Sequence, residues 1–323
     1  MLHGDWMTFA LSADAPLFIV LNAASGSRDA EETARIIETV LSGCGRQHRM
    51  LHVHDVRRLA TVAWQAVEEA RMQKGMVVVA GGDGTINAVA QAVVGTGVPF
   101  GVLAQGTFNY FARTHGLPTD TETALRALLD GQVRPVQVGR VNDHIFLVNA
   151  SLGLYPTLLE NREQWKRQFG RTRLVALWAG LATLLRGHRR LTLEIEHGGG
   201  LRTMHTSTLF VGNNPLQLEQ IGIAEAAALE HGRLAALALR PVGRRAMLWL
   251  LARGAFGRLG DAQEIQSFSF RTLRLSVLRR RRSHGRIKVA TDGEIVWMRT
   301  PLEFTVLPDA LNLVVPRAVE ARE

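Results

Sequence analysis

Residues Gly75 to Asn87, GMVVVAGGDGTIN, decide how the chain is to be read. Met76, Val77, Val78 and Val79 make a short β-branched-rich run bounded by glycines, the texture of a strand buried on both faces of a parallel sheet. The run enters Gly81-Gly82-Asp83-Gly84-Thr85 directly, and Ile86 to Val94 then carries an apolar stripe that predicts a helix. A strand, a glycine turn and a helix N-terminus together form an anion site. Backbone N–H groups point outward there, the helix dipole favours negative charge, and the missing Cβ atoms let a phosphate come close. Asp83 is the odd member, because a carboxylate in a phosphate cradle repels its ligand. It makes sense if it holds Mg²⁺, directly or through water, or takes a proton. The plain alternative is a βα loop whose glycines ease packing and whose Asp83 caps the helix.

Toward the N-terminus, Leu17 to Leu21 (LFIVL) reads as a first strand, Asn22 to Asp29 as a loop, and Ala30 to Ser42 as an amphipathic helix. Beyond the Gly43-Cys44-Gly45 break come a strand near Met50 to Val53 and a helix from Leu59 to Met72. This βαβαβ alternation predicts a parallel, doubly wound, Rossmann-like sheet, and such sheets bind ligands beyond the carboxyl ends of their strands. Downstream, Pro99 to Leu103 predicts another strand that leads into Gly106-Thr107-Phe108-Asn109, with a short helix over Phe108 to Ala112. Thr121 to Leu129 forms a further helix, capped by Thr119 or Asp120 and closed at Gly131.

Near Pro135 the texture changes. Val133 to Val141 and His144 to Asn149 read as strands around an Asn142-Asp143 turn. Leu191 to Glu196, Met204 to Asn213, Gly232 to Arg240, Ser267 to Val277, Ile287 to Ala290 and Pro301 to Leu307 continue the strand pattern and predict a β-sandwich. The fold class expected is therefore α/β plus β, with an N-terminal domain over 14–135 and a sandwich over 136–307. One stretch stands apart: Arg162 to Arg190, helical in pattern, is apolar from Leu174 to Leu185 and basic at both ends. It reads as a core helix, or as an interfacial segment that docks on anionic lipid together with Arg279-Arg280-Arg281-Arg282.

Composition narrows the classes. Hydrophobic content of 46% in 323 residues describes a globular chain long enough for two cores. The lone Cys44 excludes a disulfide framework or a cysteine-built zinc site and suits a reducing cytosol. No signal peptide is evident in MLHGDWMTFALSADAP, and no apolar run approaches the ~20 residues that span a bilayer, so a cytoplasmic protein is expected. A formal net charge of +9 suits polyanionic partners such as anionic lipid headgroups or nucleotides. A nucleic-acid role has only that charge behind it and is not expected.

GGDGTIN, followed by a strand and by Gly106-Thr107-Phe108-Asn109-Tyr110-Phe111-Ala112-Arg113, resembles the catalytic domain of the diacylglycerol kinase family, soluble bacterial lipid kinases related to sphingosine kinases. Asp292-Gly293-Glu294 near the end and Asn22-Ala23-Ala24-Ser25-Gly26 near the start match in order, so the likeness covers most of the chain. It implies an ATP-dependent kinase acting on the hydroxyl of a diacylglycerol-like or sphingoid lipid, with the active site in the cleft between the domains. It also implies a C-terminal segment, 308–320, that returns to the first domain. Asn22, Ser25, Gly26, Gly81, Gly82, Asp83, Gly84, Thr85, Asn87, Gly106, Thr107 and Asn109 would surround ATP, and Asp83 would organise Mg²⁺ at its phosphates. Phosphoryl transfer to an alcohol also needs a proton acceptor. By matching positions Glu294 is the first choice and Asp292 the second, or the two act together; a bare Asp-Gly would otherwise read as a hairpin turn.

Several positions depart from the family pattern. Ala88 stands where many members have Glu, Tyr110 where Asp is usual, and Ala23 where Pro is usual. In Leu229-Glu230-His231-Gly232-Arg233-Leu234, His231 occupies the place of a metal-binding Asp, and Arg233 follows. Neutral His is a poor Mg²⁺ ligand and Arg repels the ion, so the structural metal site of those relatives is expected to be missing, replaced by a direct charge contact. Two alternatives remain open from these residues. One is a nucleotide-responsive membrane-binding protein with impaired catalysis; the other is a NAD kinase, which shares GGDGT but carries a later Thr-Pro-Thr-Gly-Ser-Thr-Ala-Tyr-like segment not found here. The expected partners are a lipid substrate and the anionic inner face of the membrane, with a homodimer through sandwich edges plausible.

Overall fold

A computed structural model of the chain describes residues 9–10, 12, 14–23, 27–154, 156, 191–197, 200–220, 222–243, 246, 249–250, 253, 262–278 and 285–317. The expected ATP-binding residues Ser25 and Gly26, the basic-ended stretch 162–190 and the arginine run 279–282 lie outside the described residues. The chain divides into two compact units, Met1–Val138 with Pro308–Glu323, and Gly139–Leu307.

In the first unit a two-residue strand β1 (Phe9–Ala10) is followed by β2 (Leu17–Asn22), α1 (Ser27–Gly43), β3 (His48–Val53), α2 (Leu59–Met72), β4 (Met76–Gly81), α3 (Asp83–Val93), β5 (Phe100–Ala104), α4 (Tyr110–Thr114), α5 (Thr121–Leu129) and β6 (Gln132–Val141), whose last residues, from Gly139, belong to the second unit. The parallel strands lie in the order β5-β4-β2-β3. Strand β2 is thus central: the chain leaves it outward to β3 and then returns to its other side at β4. That reversal is a topological switch point, where loops from two neighbouring strand ends diverge and leave a crevice. Every residue of β4 is buried, as the unbroken apolar run required. One core joins Leu17, Ile19, Met76 and Val78 to Ile37 and Leu41 of α1 and to Leu125 and Leu128 of α5. Alternate strand residues, such as Val20 and Val77, are as fully buried and face the other side, where α2 and α3 pack.

The second unit holds β7 (His144–Phe146), β8 (Asn149–Gly153), β9 (Leu191–His197), β10 (Gly200–Thr206), β11 (Thr208–Gly212), α6 (Pro215–Gln220), a 3₁₀ run (Ala224–His231), β12 (Leu234–Leu239), β13 (Ile265–Phe270), β14 (Thr272–Leu278), β15 (Arg286–Thr291) and β16 (Glu294–Arg299). Strand β17 (Leu302–Val315) starts in this unit and ends in the first, where Leu313 pairs in parallel with Phe100. One antiparallel sheet runs β13-β12-β11-β8-β15-β16; a second layer runs β10-β9-β14-β17. Their inner faces share one core, Leu152, Val211, Leu234 and Val289 from the first meeting Leu193, Ile195, Leu275 and Phe304 from the second. That is a sandwich, and the two-layer architecture expected of α/β plus β holds.

Several elements differ from their sequence expectation. Helix α3 begins at Asp83, because Gly82 is extended (φ −82°, ψ 176°) and its carbonyl already accepts the Ile86 N–H at 3.0 Å. Asp83-Gly84-Thr85 is therefore the first helical turn and not a loop. Likewise α1 begins at Ser27, inside the expected loop. Three stretches expected as single strands are pairs of strands. His144 to Asn149 divides after Phe146, Met204 to Asn213 at Ser207, and Ser267 to Val277 at Arg271. At Ser207 and Arg271 the chain passes from one layer to the other, a corner marked in the sequence only by a one-residue change of phase, inward Phe268 and Phe270 giving way to Leu273 and Leu275. Strand β16 has no counterpart in the expectation; its pattern is blunted by exposed Trp297.

Candidate active site

The switch point brings together three of the motifs. Asn22 ends β2, Gly81-Gly82-Asp83 joins β4 to α3, and Gln105-Gly106-Thr107 follows β5. The Asn22 Nδ2 donates to Thr85 Oγ1 at 2.8 Å, tying the loop after β2 to the first turn of α3. The Gln105 N–H donates to the Gly81 carbonyl at 2.9 Å, and Gln105 Nε2 donates to Thr33 Oγ1 of α1 at 2.6 Å. Gly82 and Gly106 lie back to back: a Cβ on Gly106 would stand 3.1 Å from the Gly82 Cα and 2.7 Å from Asn109 Oδ1. A Cβ on Gly81 would strike Thr85 at 2.7 Å. Glycine is required here by close backbone approach, not by unusual φ.

Asp83 stands at the N-terminus of α3 with its Oδ2 accepting the Asn109 N–H at 3.1 Å. Its Oδ1 is buried and has no hydrogen-bond partner among the described residues. Burial raises the Asp83 pKa above the ordinary aspartate range, against the opposing backbone N–H groups of Asn109 and Tyr110. A desolvated carboxylate oxygen without a donor fits a Mg²⁺ ion or its bound water, and the glycine-lined backbone beside it fits phosphate; the residues present suit both groups. Asn109 is buried in the left-handed region (φ 48°), a conformation asparagine tolerates, and so turns the loop into α4. Thr107 and Phe108 are exposed, and the Phe108 ring stacks on Tyr110 with centroids 5.8 Å apart. Gly84, half-buried, and Asn87, half-buried and hydrogen-bonded, lie on the first turns of α3.

A second polar cluster closes one end of the six-stranded sheet in the second unit. Asp292 and Gly293, both with positive φ (46° and 88°), form the tight turn between β15 and β16. The turn is pinned to the start of β8 through its carboxylate. The Asp292 carboxylate accepts three backbone N–H groups, from Leu147 to Oδ2 at 2.7 Å and from Val148 and Asn149 to Oδ1 at 2.9 and 2.8 Å. Glu294, two residues on, keeps an exposed surface, yet the chain packed around its carboxyl raises its pKa, and the Asp292 charge pushes the same way. Around them lie buried amides absent from the sequence expectation. Asn149 Nδ2 donates to Gln217 Oε1 at 3.0 Å, Asn213 Nδ2 donates to the Leu147 carbonyl at 3.0 Å, and the Gln217 N–H donates to Asn214 Oδ1 at 3.0 Å. The signal was faint: a lone Asn at the start or end of an apolar strand, as Asn22 also is.

In the stretch compared with the relatives' metal site, His231 Nδ1 lies 3.1 Å from the Ala227 carbonyl oxygen, and Arg233 donates to Ser269 Oγ at 2.9 Å and to its carbonyl at 2.8 Å. Among the described residues no group of three His, Cys, Asp or Glu side chains could hold a metal ion, and no helix is long and apolar enough to cross a membrane.

Residues 16–141 match the diacylglycerol kinase catalytic domain, and residues 160–315 match the YegS C-terminal NAD kinase beta sandwich-like domain. Among curated proteins, a "Probable lipid kinase YegS-like" of Cronobacter sakazakii is 28% identical over 56% of this chain and 58% of its own length. One of the same name from Klebsiella pneumoniae is 33% identical over 38% of this chain and 40% of its own. The chain thus aligns with only about half the length of these relatives. A crystal structure of a diacylglycerol kinase from Bacillus anthracis superposes with a TM-score of 0.68 at 19% identity, covering 95% of this chain and 98% of that one. At that identity the likeness speaks for the fold.

Proposed function

Since the chain belongs to the diacylglycerol kinase catalytic-domain family, we propose that it transfers the γ-phosphoryl group of ATP to the hydroxyl of a diacylglycerol-like or sphingoid lipid. The observation that carries this reading is the buried Asp83 oxygen, without a partner among the described residues, set at a helix N-terminus beside the Gly82–Gly106 backbone approach. The N–H groups at the start of α3 would hold phosphate oxygens, and Asp83 would hold the Mg²⁺ or its water. When bound, Mg²⁺ neutralises the charge that the phosphates carry toward the transition state. In the second unit, Glu294 would take the proton of the lipid hydroxyl. A carboxylate whose pKa is raised is the better base of the pair, whereas the Asp292 oxygens are committed to three N–H groups. Asp292 then acts by holding the turn that presents Glu294. Peripheral contact with an anionic membrane face, in keeping with the net charge of +9, would bring the lipid.

The test is incubation with γ-labelled ATP, Mg²⁺ and a panel of lipids in micelles, beside Asp83→Asn and Glu294→Gln. Labelled lipid from the wild type, reduced roughly 100-fold or more in both variants, supports the assignment. Full activity in Glu294→Gln moves the base to Asp292, and failure to bind ATP overturns the proposal.

A further inference from the structure

The sandwich of the second unit opens at one corner, and the residues that face into the opening are not those of a core. Strand β10 ends the four-strand layer and β13 ends the six-strand layer, so both are edges. Between them lies a slot of about 1210 Å³. Arg202 pairs directly with Ile195, and partners in an antiparallel pair share a face. Ile195 belongs to the core, and Met204, two residues on from Arg202, packs against it; Arg202 therefore stands on the inner face. In the other layer Phe268 packs on the same core, which puts Gln266 on the inner face too. Arg240 follows Ala238, a core residue, by two positions and also lines the slot. Two arginines and a glutamine thus occupy inner-face positions above an apolar floor of Ile195, Met204 and Phe268.

Among the described residues neither guanidinium has an ion-pair or hydrogen-bond partner, and no carboxylate lines the slot. A lone inward charge on an edge strand can serve simply to discourage edge-to-edge pairing. That use needs neither two arginines nor a cavity larger than the roughly 300–1,000 Å³ usual for ligand sites. We infer that the slot binds one anionic amphiphile, a lipid with a phosphate or carboxylate head, the head on Arg202 and Arg240 and the chain along Ile195, Met204 and Phe268. The slot is distinct from the Asp292–Glu294 turn. Four strand spacings separate β13 from β15, about 19 Å. Arg240, which lines the slot, follows Leu239 at the end of β12, and Leu239 pairs with Thr208 and through it Gly153, whereas Asp292 bonds Asn149 at the opposite end of β8.

Calorimetric titration of the full chain without nucleotide, using dodecyl phosphate below its micelle concentration, tests this independently of any kinase activity. Saturable one-to-one binding is expected, weakened at least tenfold in Arg202→Glu with Arg240→Glu and retained in Arg202→Lys. Circular dichroism melts would confirm that the variants fold. Inorganic phosphate and dodecyl maltoside should not bind, and Glu294→Gln should bind as the wild type does. Equal binding by the double charge-reversal variant overturns the site. Binding of inorganic phosphate alone overturns the amphiphile, and loss of binding in Glu294→Gln places the ligand at the turn instead. Activity on a short-chain soluble diacylglycerol should not change in Arg202→Glu, so a dead kinase and an empty slot are told apart.

Discussion

The glycine loop at the head of α3 and the Asp292 turn use one device in opposite ways. In both, backbone N–H groups converge on a point where negative charge belongs. In the first unit no side chain caps the start of α3, and glycines at 82 and 106 keep side chains out of the space. In the second unit the N–H groups of Leu147, Val148 and Asn149 are consumed by the protein's own carboxylate, Asp292. The consequence for the acids is also opposite. Among the described residues one Asp83 oxygen has no donor and burial raises its pKa, while the Asp292 carboxylate accepts three N–H groups and its charge adds to the burial that raises the pKa of Glu294. A nest of backbone donors is an anion site until the chain fills it; what fills it separates a ligand-binding loop from a positioning device.

The comparison can be broken most sharply at Gly106. A methyl group there meets Asn109 Oδ1 at 2.7 Å and the Gly82 backbone at 3.1 Å, so Gly106→Ala should lower kcat/KM for lipid phosphorylation roughly 100-fold or more. Gly293→Asn, in open space and with a side chain that tolerates positive φ, should cost far less in the same assay.

Asp292→Asn probes the filled nest. An amide can accept at one oxygen only, so its NH₂ must face at least one of the three N–H donors. A loss of about 2–3 kcal/mol in urea unfolding is expected, against less than about 1 kcal/mol for Glu294→Gln. Equal losses would mean that the three hydrogen bonds do not hold the turn.

The pH dependence sharpens the assignment of the base. Glu294 must be ionised to accept a proton and its pKa is raised, so kcat/KM should climb with pH through a limb above the ordinary glutamate value of 4.5. Because the Asp292 charge contributes to that shift, Asp292→Asn should move the limb to lower pH in whatever activity survives. A limb that stays put would assign it to another group.

The smallest effect concerns stability. A carboxyl whose folded pKa is raised above the unfolded value contributes stability only at low pH, and that contribution is lost as pH rises through the folded pKa. At neutral pH the unliganded protein therefore bears the cost of an ionised Asp83. Asp83→Asn should raise the Tm slightly, by about 1–3 °C, while abolishing turnover. A lowered Tm would indicate that the buried oxygen has a partner in solution.

Much of the first unit was legible because its signals are local. The unbroken apolar run at Met76, the Gly-Gly-Asp-Gly turn and the helical spacing after it lie within thirteen residues and need no knowledge of the rest of the chain. Helix α5, with Asp120 as its cap, falls where the spacing predicts, as does α2. The start of α3 was misplaced because glycine at two positions suppresses propensity, although the chain geometry at Gly82 admits a helix immediately.

In the second unit the sequence determined that strands exist, since alternation is local, but not which layer each joins. The inward residues change phase at each corner, Met204 before and Leu209 after Ser207, Phe270 before and Leu273 after Arg271, but only pairing with distant strands shows which layer each half joins. The same limit applies to the chemistry. From the residues alone Asp292 and Glu294 were nearly equivalent acids beside a turn. Their difference arises because a strand end some 145 residues earlier supplies the N–H groups that saturate one of them. Identity of the acids, the glycines and the motif order were set by the sequence. Which acid is locked, which is left to titrate, and which inner-face arginines line an open corner were decided by non-local pairing, because hydrogen bonds and burial depend on neighbours in space and not on neighbours in the chain.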